Sequence, residues 1–249
     1  MNCITDAELL LQELGITTPE DIDLEAIAWH VGATIKRKKL DGCEARIVGA
    51  GNKAIITVNS TSVFVRQQFS IGHEIGHWHN HRGRSLVCRS DEIGSHNSGC
   101  ALLERQADQF ASNLLLPNYI LRPYLNQIKQ LNFDIIRKTA KAFGTSLPAT
   151  AIGLVERGIW KAVLVCHGQT GRKWFTRNSN LPDCWFPNNE LHHESYAIGI
   201  LYGSDPDQAI PKKLGANIWF NKREANCYEL QEQSIRTLEG DVLSLLVFK

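Results

Sequence analysis

The stretch IGHEIGHWHNH, residues 71–81, holds four of the nine histidines in a chain of 249 residues. It contains the pattern H-E-x-x-H, which begins at His73 and ends at His77. The apolar spacing of residues 62–79 predicts a helix, and residues four apart on a helix share one face. Both imidazoles can therefore bind one metal ion, while Glu74 hydrogen-bonds a metal-bound water. The pattern indicates metal-assisted peptide hydrolysis with Glu74 as the general base.

A polar, solvent-exposed helix that happens to carry two histidines is the alternative interpretation of this pattern. Against it, apolar side chains occupy the other sides of the same segment: Val63, Val65, Phe69, Ile71 and Ile75. Such a helix is expected to pack inside a domain, where buried histidines need hydrogen-bond or metal partners. The metal interpretation is therefore favoured, provided that a third ligand exists elsewhere in the chain.

A catalytic zinc ion takes three protein ligands and keeps one open position, so the two histidines need a further partner. The extended pattern H-x-x-G-x-x-H does not supply it, because Asn80 and Gly83 occupy the positions of its glycine and last histidine. The segment LLERQADQFASNLLLP, residues 102–117, instead places Glu104 and Asp108 four residues apart on a second predicted helix. We predict that Glu104 binds the metal and that Asp108 orients a histidine ring through a hydrogen bond.

The segments RQQFSIGHEIGH, residues 66–77, and ERQADQFASNLLLP, residues 104–117, together resemble the two motifs of the ImmA/IrrE family of metallopeptidases. The second family motif runs E-x-x-A-N-x-F-A-x-x-L-L-M-P. The resemblance implies a zincin-like metallopeptidase fold with Glu74 as base and three zinc ligands: His73, His77 and Glu104. Members of this family are known as intracellular proteases that cut helix-turn-helix repressors, in mobile-element control or in DNA-damage responses. A repressor of that kind is therefore the expected protein substrate.

Three residues depart from the family pattern. Asp108 stands in place of the usual asparagine, Leu116 in place of the usual methionine, and Gly72 at a position where alanine is common. An aspartate can orient an imidazole at least as well as an asparagine can. The departures therefore leave the predicted metal site intact.

The periodicity along the chain predicts an α+β fold with three parts. Residues 1–125 combine helices with a small β-sheet and are expected to form the metallopeptidase domain. Residues 126–158 read as a helix-turn-helix-like segment, with Gly144 at the end of its first helix. Residues 159–249 contain short aromatic and β-branched runs, among them YAIGILYG and ANIWFN, and predict a β-rich domain. Its likeness to the extra C-terminal domain of some family members implies a GAF-like sensor.

A DNA-binding or stress-sensing regulator with a non-catalytic metal site is the alternative function. A recognition helix reads bases through polar and basic residues near its N-terminal end. The second helix of the segment begins SLPATAIGLV, and its one basic residue, Arg157, lies at the far end. The net charge of the whole chain is only +1, so the electrostatic footprint for nucleic acid is thin. We therefore expect this segment to pack or to dock a protein, and we do not expect direct nucleic-acid binding.

Seven cysteines are widely spaced along the chain and form no C-x-x-C pair, which excludes a zinc ribbon and disfavours a secreted disulfide framework. No apolar run is long enough to span a bilayer, and the N-terminus lacks the basic lead of a signal peptide. We expect a cytoplasmic protein with free thiols. Zn²⁺ is the expected cofactor, although two histidines and a glutamate also suit Mn²⁺ or Fe²⁺.

Three further histidines and one tyrosine are also candidates for site residues. His79 and His81 are expected to be polar residues at the helix end. His96, in the polar loop RSDEIGSHNSGC, is expected to face solvent rather than the open metal position, and the neighbouring Cys88 and Cys100 to stay free. Tyr119 is an oxyanion donor by position only and is not predicted to be one.

Overall fold

The histidine-rich stretch lies on a long helix, Phe64–Asn80, in a computed structural model that describes residues 4–81, 98–182 and 184–249. The chain divides into two compact units. The N-terminal unit comprises Met1–Tyr124 and Thr139–Ser146, and the C-terminal unit comprises Leu125–Lys138 and Leu147–Lys249. Each unit combines helices with a β-sheet, which confirms the α+β class. No helix among the described residues has the length and apolar character needed to cross a membrane.

The N-terminal unit is built from helices and strands in the following order: α1 (Asp6–Glu13), α2 (Leu24–His30), β1 (Ala33–Lys38), β2 (Ala45–Ala50), β3 (Lys53–Asn59), α3 (Phe64–Asn80), α4 (Ser98–Leu115) and α5 (Asn118–Leu125). The first helix begins where Thr5 and Glu8 form a capping box, in which each side chain accepts a hydrogen bond from the other residue's backbone. The buried Glu8 carboxylate also accepts the Asn118 N–H at 2.7 Å. The first turn of α1 is thereby tied to the start of α5.

The three strands form a small sheet in the order β1-β3-β2, with β1 parallel and β2 antiparallel to β3. A hairpin joins β2 to β3, and Gly51 in its turn has a positive φ of 58°. Side chains alternate across the sheet, and Ile47, Ile56 and Val58 are buried while Val48 is exposed. Helix α3 contacts β2 and β3. The sheet therefore supports the helix that carries the H-E-x-x-H pattern.

Helices α3 and α4 pack against each other through two glycines of α3. A Cβ atom on Gly72 would lie 3.3 Å from the Cβ atom of Ala111, and one on Gly76 would lie 3.0 Å from that of Phe110. Both distances are tighter than ordinary van der Waals contact, so glycine is what allows the helices to come this close. The close approach brings the polar face of α4 within reach of the histidine face of α3.

The C-terminal unit contains a five-stranded antiparallel sheet in the order β5-β4-β8-β7-β6. Its elements, with the preceding helix that spans the unit boundary, are α6 (Phe133–Phe143), α7 (Leu147–Arg157), β4 (Ala162–Gly168), β5 (Gly171–Arg177), α8 (Tyr196–Tyr202), β6 (Lys212–Gly215), β7 (Glu229–Arg236) and β8 (Val242–Phe248). Every residue of the central strands β4 and β8 is buried. The β-rich expectation for residues 159–249 thus agrees with the sheet, whereas the GAF-like assignment stays a prediction.

The run YAIGILYG does not form a strand, although its composition favours one. It forms helix α8, because Ser195 caps the helix by accepting the Ala197 N–H, and because Ala197, Ile200 and Leu201 recur at helical spacing. These three side chains are buried, and the helix contacts β7 and β8. The run ANIWFN likewise contains a 3₁₀ turn, Ala216–Ile218, in place of a strand.

Helix α7, the second helix of the helix-turn-helix-like segment, packs against strands β4 and β5. Its buried side includes Ala151, Leu154 and Val155. The carboxamide of Asn178 donates hydrogen bonds to the carbonyl of Val155 at 2.9 Å and to that of Gly158 at 2.7 Å, which closes the C-terminal end of the helix. The buried side of α7 therefore packs within the C-terminal unit.

Candidate metal centre

Three side chains from α3 and α4 converge on one point. His73 and His77 lie one helical turn apart on α3, and their Nε2 atoms are 3.0 Å from each other. Glu104 reaches both rings from α4: one carboxylate oxygen lies 3.2 Å from His73 Nε2, and the other lies 3.3 Å from His77 Nε2. The structure thus brings together the three residues that were predicted as metal ligands.

The chemistry of this group suits a divalent cation. When both imidazoles present the lone pairs of their Nε2 atoms, these two groups and the carboxylate are all acceptors, and a positive charge among them relieves their mutual repulsion. A tetrahedral zinc ion with ligands at about 2.0–2.1 Å separates neighbouring ligand atoms by about 3.3 Å. The observed separations of 3.0, 3.2 and 3.3 Å fit that requirement.

Asp108 fixes the orientation of the first histidine. Its Oδ1 lies 2.9 Å from His73 Nδ1, at the predicted position one turn along α4 from Glu104. An ionised carboxylate only accepts hydrogen bonds, so the hydrogen of a neutral His73 ring is on Nδ1 and the Nε2 lone pair is left for a metal.

His81 has a different role from the one expected at the helix end. It is only 4% exposed, and its Nδ1 lies 3.2 Å from His77 Nδ1. Its other nitrogen, Nε2, lies 3.1 Å from Gln106 Oε1. The signal in the sequence was the spacing of four residues from His77, which puts both rings on one face of α3. His79, in contrast, is exposed as expected and contacts Asn80.

Glu74, the predicted base, is buried beside the ligand group. Burial and, to a smaller extent, the negative charge of Glu104 together raise the pKa of its carboxyl to about 7. Burial lowers the pKa of His77, and the neighbouring His73 adds to that effect. Both groups are therefore held toward their neutral forms in the protein without a cation.

The other residues that the sequence offered as candidates for the site lie away from this centre or outside the described residues. Tyr119 donates its hydroxyl hydrogen to the backbone carbonyl of Ile16 at 2.6 Å, so its oxygen is engaged by the fold. His96 and Cys88 lie outside the described residues, as does the side chain of Cys100. Four thiols in the described part of the chain are free: Cys43, Cys166, Cys184 and Cys227.

A second group of metal-binding residue types occurs in the described C-terminal unit, at the turn before α8. It consists of His192, His193 and Glu194. His193 and Glu194 are exposed, and the Nδ1 atom of His192 accepts the Glu194 N–H at 3.2 Å. The His192 side chain at this turn is half-buried.

Comparison with known proteins connects the centre to a protein family. The family model Peptidase_M78, described as an IrrE N-terminal-like domain, matches residues 30–154, which is half of the chain and includes every residue of the centre. No curated protein matches the chain. Among solved structures, a Mycobacterium tuberculosis transcriptional regulator is similar, with a TM-score of 0.58 and 15% sequence identity. That alignment covers 97% of this chain and 86% of the regulator, and at this identity the likeness concerns the fold alone.

Proposed function

Because this chain belongs to the Peptidase_M78 family of IrrE N-terminal-like domains, a family of peptidases, we propose that it is a zinc-dependent endopeptidase. In this proposal, three residues hold the ion: His73, His77 and Glu104. The observation that carries the proposal is the convergence of these three side chains, whose ligand atoms all lie within 4.8 Å of one another. Mn²⁺ or Fe²⁺ would suit the same donor set, and zinc is proposed because it is the usual ion for peptide hydrolysis.

In this proposal, Glu74 and Asp108 have separate roles in the hydrolysis at the metal centre. A divalent ion held there supplies a Lewis acid that polarises the scissile carbonyl and makes water more acidic. Glu74, which follows His73 on α3, accepts the proton of the attacking water on its carboxylate and passes it to the leaving amine. Asp108 holds the His73 ring in the orientation that turns its Nε2 atom toward the ion.

A helix-turn-helix repressor is the proposed substrate, cut in the cytoplasm in response to a stress signal. The family resemblance is the basis for this choice. A protein substrate is also favoured over direct DNA binding by the packing of α7, whose buried side faces β4 and β5 and whose first turn has no basic residue. In this proposal the partner of the chain is therefore a protein substrate, and it is this substrate that regulates transcription.

Substitution of Glu74 by glutamine tests the mechanism most directly. The amide cannot accept the proton from water, so cleavage is expected to fall by about 10²–10⁴-fold, while the zinc content of the purified protein stays unchanged. Cleavage is measured by mass spectrometry on a peptide library and on a purified helix-turn-helix repressor. The library reports peptidase activity even if the chosen repressor is not the substrate.

The matched control is Glu20→Gln, which makes the same chemical change at an exposed position of the N-terminal unit. It is expected to cleave like the unaltered protein. Cleavage at the full rate by Glu74→Gln would rule out Glu74 as the base. Absence of cleavage of either substrate by the zinc-loaded, unaltered protein would overturn the peptidase proposal.

A further inference from the structure

We infer that His81 is a positioning residue for His77, and that Gln106 completes a chain of three side chains behind the metal centre. The inference rests on the proposed function, because it assigns His77 as a metal ligand. His81 is neither one of the three converging residues nor the base. The role of His81 in this series of hydrogen bonds follows from which ring nitrogens must carry hydrogens.

The distances define one continuous path. His77 Nδ1 lies 3.2 Å from His81 Nδ1, and His81 Nε2 lies 3.1 Å from Gln106 Oε1. A neutral imidazole has one N–H and one lone pair, so only one of the two facing Nδ1 atoms carries a hydrogen. For His77 to present its Nε2 lone pair to an ion, its hydrogen must be on Nδ1 and must be donated to His81.

This first assignment determines the second. If His81 accepts at Nδ1, its own hydrogen is on Nε2, where the carbonyl oxygen of Gln106 is in position to accept it. Each link in the chain therefore has one donor and one acceptor. The reverse arrangement would place the hydrogen of His77 on Nε2 and would leave no lone pair there for a metal.

The two proposed histidine ligands are held by acceptors of different charge. His73 uses the exposed carboxylate of Asp108, whereas His77 uses the buried, uncharged ring of His81. A carboxylate in the place of His81 would add negative charge in a buried region that already contains Glu74, close to Glu104. Burial of a further unpaired charge is costly, so a neutral acceptor is the better partner at this position.

The backbone holds His81 in place for this role. Its N–H donates to the carbonyl of His77 at 2.9 Å, which continues the hydrogen-bond ladder of α3 for one more residue. The two ring centroids are 5.3 Å apart. The ring is thus fixed both by the helix end and by the side chain of Gln106.

Substitutions at His81 distinguish a positioning role from simple packing. His81→Leu fills the space without an acceptor, and His81→Asn places its carbonyl oxygen near the position of the lost Nδ1. We expect the zinc affinity of the full chain to fall by about 10–100-fold in His81→Leu and to remain near the unaltered value in His81→Asn. Affinity is measured by competition between the protein and a chromophoric chelator, with zinc ion alone as the probe.

Two control substitutions accompany this test. His79→Leu makes the same change at an exposed position of the last turn of α3, and it is expected to bind zinc normally. Gln106→Leu removes the far end of the chain and is expected to weaken zinc binding less than His81→Leu does. Gln109→Leu, an exposed glutamine on the same helix, is its matched control.

The outcomes separate this inference from the proposed function. If the unaltered chain binds no zinc, the metal centre itself is wrong. If the unaltered chain binds zinc and His81→Leu binds it equally well, or if His81→Asn is as weak as His81→Leu, the positioning role is wrong. Should His81→Leu fail to fold, Gln106→Leu takes its place, and equal affinity of Gln106→Leu and Gln109→Leu then overturns the inference.

Discussion

Each unit of this protein places a glutamate in a cluster of polar groups, and the surroundings of the two carboxylates are opposite. The Glu232 side chain is buried, whereas the Glu104 side chain is 43% exposed. In the C-terminal unit, Glu232 is 0% exposed and accepts hydrogen bonds from the Ala197 N–H at 2.9 Å, the Trp219 indole at 2.8 Å and the Ser234 hydroxyl at 2.8 Å. In the N-terminal unit, Glu104 faces two imidazole nitrogens at 3.2 and 3.3 Å whose lone pairs also need a positive partner. N–H and O–H donors surround the first carboxylate, whereas the second faces two imidazole nitrogens that act as acceptors when they bind a metal.

The difference separates a structural polar cluster from a binding centre. A buried polar group whose hydrogen bonds are satisfied by the fold stabilises that fold and needs no further partner. A cluster of acceptors is satisfied only when a cation binds among them. The cluster around Glu232 should therefore respond to substitution through stability alone, whereas the Glu104 cluster should respond through metal binding.

The largest effect is expected from Glu104→Ala. Zinc at about 100 times its dissociation constant should raise the free energy of unfolding of the unaltered protein by about 2.7 kcal/mol, because only the folded state brings the ligands together. Loss of one of three ligands should remove this increment together with peptide cleavage. The measurement is urea unfolding with zinc and with a chelator. Arg105→Ala, at the exposed neighbouring residue, should keep the full increment, and a zinc effect that survives in Glu104→Ala would contradict the metal assignment.

A smaller effect is expected from Glu232→Gln. The NH₂ group of glutamine would face the N–H and O–H donors that now bind the Glu232 carboxylate. The free energy of unfolding should therefore fall by about 1–3 kcal/mol, independently of zinc. Glu229→Gln, at an exposed position of the same strand, should lose less than about 1 kcal/mol. A Glu232→Gln protein with the original stability but altered zinc binding would erase the contrast between the two clusters.

The pH dependence of Glu232 sharpens the same comparison. Burial raises the pKa of this carboxyl above its ordinary value of 4.5, although hydrogen bonds from Trp219 and Ser234 oppose part of that shift. The unfolded chain therefore ionises first as pH rises. The contribution of Glu232 to stability is complete below pH 4.5 and is lost as pH rises through the folded-state pKa. The destabilisation caused by Glu232→Gln should accordingly be greatest at low pH and should shrink toward neutral pH, as measured by unfolding at a series of pH values.

The smallest effect is expected at the glycines between α3 and α4. Alanine favours helix over glycine by about 1 kcal/mol, but a Cβ on Gly76 would lie 3.0 Å from that of Phe110, and such crowding costs about 1–3 kcal/mol. Gly76→Ala should therefore be destabilised by about 1 kcal/mol and should bind zinc more weakly. Gly72→Ala, with 3.3 Å to the small Ala111, should be nearly neutral. Calorimetry and zinc titration measure both, and equal behaviour of the two variants would contradict this account of helix spacing.

The sequence predicted those parts of the centre whose signals are local. His73 and His77 are four residues apart on one helix, and Glu104 and Asp108 are four residues apart on another, so helical periodicity sufficed to choose them. Their roles in catalysis stay predictions. The expectation that His81 is a polar helix-end residue takes no account of a partner for its ring, and in the structure that partner is His77.

The parts that could not be predicted depend on contacts between distant segments. Nothing in the sequence around Glu232 distinguishes it from an ordinary residue of a strand. Its hydrogen-bond donors come from the start of a helix, a 3₁₀ turn and a neighbouring position on its own strand. The strand prediction for the run YAIGILYG is wrong, because it depends only on the general preference of Tyr and Ile for strands. The helical spacing of its buried residues and the cap at Ser195 outweighed that preference.

The bond between Glu8 and Asn118 also has a consequence for protein synthesis. It joins positions separated by 110 residues along the chain. After a ribosome has synthesised the two histidines of α3, it must still synthesise all of α4 and the first residue of α5 before the Glu8–Asn118 hydrogen bond can form. Domains generally fold as units during translation. The nascent chain can therefore form this link between α1 and α5 only after the whole of α4 has been synthesised.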